Sequence, residues 1–320
     1  MLKDFLSHYS WPGLLLVCVT ISAIGSYLDH PVIAFNLAYV FLAVSLFFLE
    51  RSIPFAKEWQ ENDGQTFANI AHTLTSKGFV QGLIIFGGVI GITSYITPAA
   101  YEGYGIWPRH WPMGIQVVMG LIAAEFGLYW AHRLAHEIGF LWRFHAVHHS
   151  VTRLWFVNTG RFHFIDSMLS IVLGAGILIA LGAPLEVVTW LSAITAYIGM
   201  LTHCNVDMKF KWLSYFFNTP QLHRWHHSRK LVEGNRNYGE NLMLWDHIFR
   251  SWTNPNRRPS SNIGITDDMP PTFVQQLIWP FRKPTKKFIT EKDLMRMKAE
   301  KELHKQEEAR EVQEMEAKRA

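Results

Sequence analysis

Imidazole is the side chain most often gathered around transition metals, and His132 to His149, HRLAHEIGFLWRFHAVHH, carries five of them in eighteen residues. On a helix, His132 and His136 stand four residues apart and project from one face, so two rings reach one ion. His145, His148 and His149 repeat that geometry at offsets of three and four. His223, His226 and His227 in QLHRWHH copy the same spacing. A single histidine is usually a satisfied polar residue, but repeated imidazoles on one face are costly to desolvate without a shared partner. Eight clustered histidines exceed the three or four ligands of a mononuclear zinc site, so the count argues for two ions sharing the set. Iron, zinc, copper and nickel all accept imidazole, so ligand type alone leaves the metal open.

Other chemistries fit less well. A zinc peptidase needs a glutamate inside HEXXH, whereas HRLAH has Arg133 at that place and Glu137 outside the pair. Cys18 and Cys204 form no CxxC and no disulfide framework, so thiolate zinc and iron–sulfur sites are excluded. A formal charge of +4 gives no reason to invoke nucleic acid.

The elements that must carry the histidines are apolar. Mean hydropathy is only +0.06, because apolar runs in the first two thirds are offset by a charge-dense end from Arg282 to Ala320. Trp11 to Leu28 and Val32 to Leu49 have spanning length and are joined by Asp29-His30-Pro31, which predicts a membrane hairpin. The N-terminus lacks a basic region followed by a small-residue cleavage site, so the first run reads as a retained span. Glu50 to Lys77 is a polar connector in which His72 is structural. Gly78 to Thr97 is a third run, and YEGYGIWPRHWP after it has the aromatic, Pro/Gly-rich character of an interfacial loop. Met113 to Ala131 is the fourth, leading straight into His132. Ser167 to Leu181 and Leu185 to Leu201, divided by Gly-Ala-Pro, form a spanning hairpin or a re-entrant pair.

The expected fold is therefore all-α: a polytopic membrane helical bundle of four spans plus a later hairpin, under a histidine-rich helical cap that holds a di-metal site. Residues 1–110 would supply the first spans and connector, 111–255 the catalytic domain, and 256–320 a charged tail. The end of that tail reads as a long solvated helix capped at Thr290. If the four early runs cross and the later pair returns, Arg109 stands alone on the far side, and every other Lys and Arg lies with the boxes and both termini. The positive-inside rule then makes the boxes cytosolic, at a bacterial inner membrane or the endoplasmic reticulum.

Glu125 is an ionisable residue within an apolar run and lies seven residues before His132, so both face nearly the same way. It is either an acceptor for an imidazole N–H or a carboxyl within a helix interface. RFHFID sets His163 three before Asp166, and HCNVD sets His203 four before Asp207, at points where the chain returns toward the boxes.

HRLAH, HAVHH, HRWHH and the closing stretch NYGENLMLWDHIF, with Asn237-Tyr238-Gly239 and Trp245-Asp246, resemble the fatty acid hydroxylase/sterol desaturase superfamily of integral-membrane oxygenases over about Glu125 to Trp252. The resemblance implies a non-haem centre of two iron ions that activates O2 and attacks a C–H bond of a lipid. It carries over His132, His136, His145, His148, His149, His223, His226 and His227 as ligands, adds His203 from the segment after the hairpin, and extends to His163. Some relatives have histidine where this chain has Asp207, which leaves Asp207 to coordinate, to accept a hydrogen bond, or to do neither. Electrons are implied to come from an external ferredoxin or b-type cytochrome with its reductase, since no dinucleotide glycine fingerprint occurs. Arg229, Lys230, Arg257 and Arg258 near the boxes either dock such a donor or touch lipid headgroups, the reading that the charge rule favours. Spacing does not choose between hydroxylation and desaturation, nor among fatty acyl, sterol and related lipids. A membrane metal-binding or transport protein is the alternative, although transport favours histidines at the midplane and these lie past the ends of the runs.

Overall fold

The structure, a computed structural model, describes residues 1–78, 82, 105–209, 212–282, 299, 302–308 and 310. Nearly all of the third apolar run, and most of the expected C-terminal helix, lie outside those residues; 302–308 are helical. Among the described residues the architecture is helical, with isolated β-bridges and no named strand.

Helices α1 (Leu2–Tyr27) and α2 (Pro31–Ser52) form the first hairpin, turned by Asp29 at φ 57° and restarted by Pro31 in the first helical turn. Ala34, Ala38, Leu42, Leu46 and Glu50 recur every four residues and make the buried stripe of α2. A Cβ on Gly25 would fall 2.0 Å from that of Ala34, so only glycine lets the two helices meet beside the turn. Outward positions such as Val40 and Phe48 are apolar and exposed, a surface suited to hydrocarbon rather than water.

Helix α3 (Met113–Glu137) packs along α5 (Phe164–Leu181) through a reciprocal pair of glycines. Gly127 lies against the Leu173 carbonyl, and Gly174 against the Leu128 side chain. Helix α6 (Leu185–His203) joins this pair to the first hairpin, where Tyr197 Oη and Ser22 Oγ are 2.7 Å apart in a shared core. All five of these helices are long and apolar enough to cross a membrane, the later pair included. The protein is a multi-pass membrane protein.

The bundle has two distinct ends. At one, Arg109 donates from Nε and Nη2 to the Gly182 carbonyl, at 3.1 and 2.8 Å, and binds the loop before α3 to the tip of the α5–α6 hairpin. At the other, Glu50 accepts from the backbone N–H groups of Phe156 and Asn205, at 3.0 and 2.9 Å. That end carries the cap, made of α4 (Gly139–His149), which follows α3 after a break at Ile138, and α7 (Pro220–His226). At 1.5 Å per residue His132 stands about 28 Å along α3 from Met113, roughly one hydrocarbon thickness from the far end.

Candidate metal centre

Nine histidines converge beneath the cap, as two groups within each of which the donor atoms lie within 4.8 Å of one another. His132 and His136 of α3, His145 and His149 of α4, and His226 of α7 make a group of five. His148 of α4, His203 at the end of α6, and His223 with His227 make a group of four. Each HxxHH box is therefore divided. The residues four apart in α4 serve the five-histidine group while His148 serves the other; in the second box His223 and His227 serve the four-histidine group while His226 crosses over. Helix geometry accounts for this, because positions i and i+4 diverge by about 40° while i+3 lies about 60° to the other side.

The ring nitrogens are arranged for a cation. His132, His136, His145 and His226 each have Nδ1 at an acceptor: the Tyr238 carbonyl at 2.7 Å, Asn235 Oδ1 at 3.1 Å, Asp166 Oδ2 at 2.8 Å and the Arg236 carbonyl at 2.8 Å. A proton on Nδ1 leaves Nε2 as a lone pair, and the Nε2 atoms of His132, His145 and His226 are buried without a hydrogen-bond partner. In the four-histidine group, His227 Nε2 lies 3.1 Å from His148 Nε2 and 3.0 Å from His223 Nε2, which is 2.8 Å from His203 Nε2. One proton cannot satisfy four converging nitrogens; a shared positive ion would. Burial, reinforced by neighbouring imidazoles, holds His148, His149, His226 and His227 well below the usual histidine range and His223 at about 3. They are neutral at physiological pH, the form in which imidazole ligates.

The model of the fatty acid hydroxylase family matches residues 117–251. Ornithine lipid hydroxylase OlsE of Rhizobium tropici is 49% identical over 289 residues, covering 89% of this chain and 87% of that protein. The chain belongs to the fatty acid hydroxylase family. Human alkylglycerol monooxygenase is 28% identical over 189 residues, 59% of this chain and 42% of its own length. Fatty acid hydroxylase vlmA of Lecanicillium sp is 30% identical over 154 residues, 42% of each chain. No solved structure matches. Membership makes the protein an oxidoreductase of the lipid hydroxylase and monooxygenase class.

The family's closing signature acts through backbone. Asp246 accepts from the N–H groups of Tyr238 and Gly239, at 2.8 and 2.7 Å, and from Ser251 Oγ at 2.6 Å; its carboxyl is pushed up by burial. That grip holds the Tyr238 carbonyl at His132. Glu125 grips the same loop further on, accepting from the N–H groups of Glu240 (2.6 Å) and Asn241 (3.0 Å) and from Asn241 Nδ2 at 2.9 Å. Glu125 thus accepts from the loop backbone and Asn241 rather than from an imidazole. Its place on α3 was visible in the sequence, but its partners were not.

The structure separates the remaining candidates. His203 joins the four-histidine group. His163 lies outside both: it caps α5, with Nδ1 accepting from the Ile165 N–H at 3.2 Å and Nε2 at 3.2 Å from the Leu277 carbonyl. Asp207 also lies outside both, with Oδ1 3.9 Å from Arg258 Nη2. Arg257 and Arg258 engage Glu233 and Asp207 respectively. Sequence reasoning placed Asp166 near the site without a role, and it missed Asn158, whose Oδ1 is 3.2 Å from His203 Nδ1, and Asn235 at His136. Asp166 had a local signal in RFHFID; a lone asparagine far from the boxes has none.

Proposed function

We propose that the protein is a membrane-bound lipid hydroxylase in which the nine converging histidines hold two iron ions. The observation that carries this is the division of the boxes into two donor sets, each drawing on three helices. Bound iron would supply activation of O2 and attack on an unactivated C–H bond. The chain's own residues do the rest. Tyr238, Asn235, Asp166 and Arg236 set the ring orientations, so the donors are in place before metal arrives. Burial of nearly all nine rings excludes bulk water from the reacting region. A cavity lined by His132, His145, His148, His203 and His223 also touches Ser170, Thr195 and Gly199 on the membrane helices, the side from which a lipid would approach the donors.

The substrate proposed is an ornithine-containing or related amino lipid, on the strength of the OlsE relationship across nearly the whole chain. Reducing electrons would come from a separate carrier, a ferredoxin or a b-type cytochrome with its reductase. The cap and both described ends of the chain would be cytosolic, since Arg109 stands at the opposite end of the bundle.

Elemental analysis of the purified protein, coupled to mass spectrometry of lipids from cells with and without it, tests this reading. About two irons per chain and a lipid that gains one oxygen are expected. Protein that stays iron-free after reconstitution, or lipids that are unaltered, would overturn it.

A further inference from the structure

Two tyrosines stand in line behind the five-histidine group. The buried ring of Tyr238 lies 5.8, 5.3 and 6.0 Å from the rings of His132, His136 and His226, three of the five donors. Tyr238 also meets Tyr129 of α3 edge-on at 6.0 Å, and Tyr129 is fully buried. Phenylalanine would pack equally well at Tyr129, but its hydroxyl is tied into a directed chain. Arg133 Nη1 donates to Tyr129 Oη at 2.9 Å, Ser251 Oγ lies 2.8 Å from that Oη, and Ser251 Oγ donates to Asp246 Oδ1 at 2.6 Å. Ser251 has one hydroxyl proton and gives it to Asp246, so Tyr129 must be the donor in the bond between the two hydroxyls. Burial raises the affinity of Asp246 for a proton. The phenol therefore has a proton path to a carboxylate through two short hydrogen bonds, each within the reach of proton transfer.

A buried phenol gives up an electron only if its proton leaves too, because a bare cation is costly away from water. Tyr129 meets that condition and stands one ring away from the histidine donors. We propose that Tyr129 is a redox-active tyrosine that discharges the site when it becomes oxidised with no lipid in place. Its electron passes by way of the Tyr238 ring to the five-histidine group, and its proton passes through Ser251 to Asp246. The proposal rests on the lipid hydroxylase reading, in which O2 is the oxidant and an external carrier the reductant. In the step the Tyr129 O–H bond breaks, Ser251 gains that proton as it gives its own to Asp246, and iron oxidised by O2 takes up one electron. A neutral tyrosyl radical is left on Tyr129. One electron from the carrier and the proton returning from Asp246 restore the phenol. Trp130, 5.7 Å from Tyr129, is a poor next stop, because the Arg133 guanidinium lies 5.4 Å over its ring and opposes a positive charge there. The oxidising equivalent thus rests on a residue shielded from solvent, and the histidine donors are spared.

The test uses the iron-loaded, full-length protein in phosphatidylcholine nanodiscs, reduced and then exposed to O2 without any amino lipid, and frozen for electron paramagnetic resonance. Wild type should give a tyrosyl signal that narrows when ring-deuterated tyrosine is incorporated. Tyr129→Phe should lose that signal with iron content unchanged, and peptide mass spectrometry should then find added oxygen on the histidine boxes. Ser251→Ala carries the same test if Tyr129→Phe fails to fold. With the proton path cut, the signal should fall, and its formation should lose the slowing that wild type shows in deuterium oxide. A tyrosine that only packs would move none of these readouts. An unchanged signal in either variant overturns the proposal. So does a wild type that adds oxygen to lipids yet forms no radical, and in that case the hydroxylase reading stands. A wild type that takes up no iron overturns both.

Discussion

The two histidine groups share α4 and α7 yet are held in different ways. In the five-histidine group four of the Nδ1 atoms rest on carbonyl, amide or carboxylate oxygens, and His136 reaches the edge of the cap, only partly buried. In the four-histidine group every ring is buried, Nε2 atoms approach one another to 2.8–3.1 Å, and the Nδ1 atoms of His223 and His227 are buried without partners. The first set is oriented from outside by a ring of acceptors; in the second, His148 meets the Arg161 carbonyl at 3.3 Å and His203 meets Asn158 Oδ1 at 3.2 Å, while His223 and His227 are oriented by packing and by the ion they would share. An ion in the five-histidine group should therefore depend more on neighbours that are not ligands than one in the four-histidine group does.

Removing a ligand from each side gives the largest effects. His148→Ala should abolish turnover and remove about one of two irons, leaving the five-histidine ion in place; His145→Ala should do the reverse. Metal analysis decides it, and loss of both ions from either variant would mean that the groups are one cooperative unit. Next comes the acceptor ring. Asp166→Asn should weaken metal retention against a chelator about ten- to a hundredfold for one ion and not the other. Equal weakening of both would erase the proposed asymmetry.

Glu125→Gln tests the loop that presents the Tyr238 carbonyl. An amide placed among three donors leaves a buried N–H group unpaired, costing about 1–3 kcal/mol of stability by thermal unfolding. Unchanged stability would show that the loop is held by Asp246 alone. A smaller effect concerns pH. His72, packed between the Phe162 carbonyl and Gln276, is held at about 4 by burial first and then by the nearby Arg161 charge. The unfolded chain, with histidine near 6.5, takes up a proton that the folded chain refuses, so stability falls as pH drops from about 6.5 toward 4 and is unaffected above that window. His72→Gln should flatten part of this slope. The smallest effect is expected for His163→Gln, about 0.5–2 kcal/mol from a lost cap, with iron content unchanged. Iron loss there would place His163 among the ligands.

The histidine boxes were legible because offsets of three and four are local properties of a helix, and the spans were legible because uninterrupted apolar length has few other uses. His163 and His203 looked alike in the sequence, each isolated with an aspartate three or four residues on. Only the course of the chain separates them, setting one at the start of α5 and the other at the end of α6 beside His223. Glu125 was conspicuous as a carboxylate in an apolar run, but its partners are mostly backbone N–H groups more than a hundred residues away, and every residue carries such a group.

The order of residues by itself determined that eight clustered histidines would share helix faces, a number that suits two ions, and that membrane helices would carry them, because composition and short spacing are enough for each. The tertiary structure alone decided how each box is shared between the two groups, which oxygens hold the rings of His132, His136, His145 and His226, and which residues line the cavity beside them. Those facts depend on how helices distant in the chain face one another, and helical periodicity within any one segment carries no information about its partner's rotation.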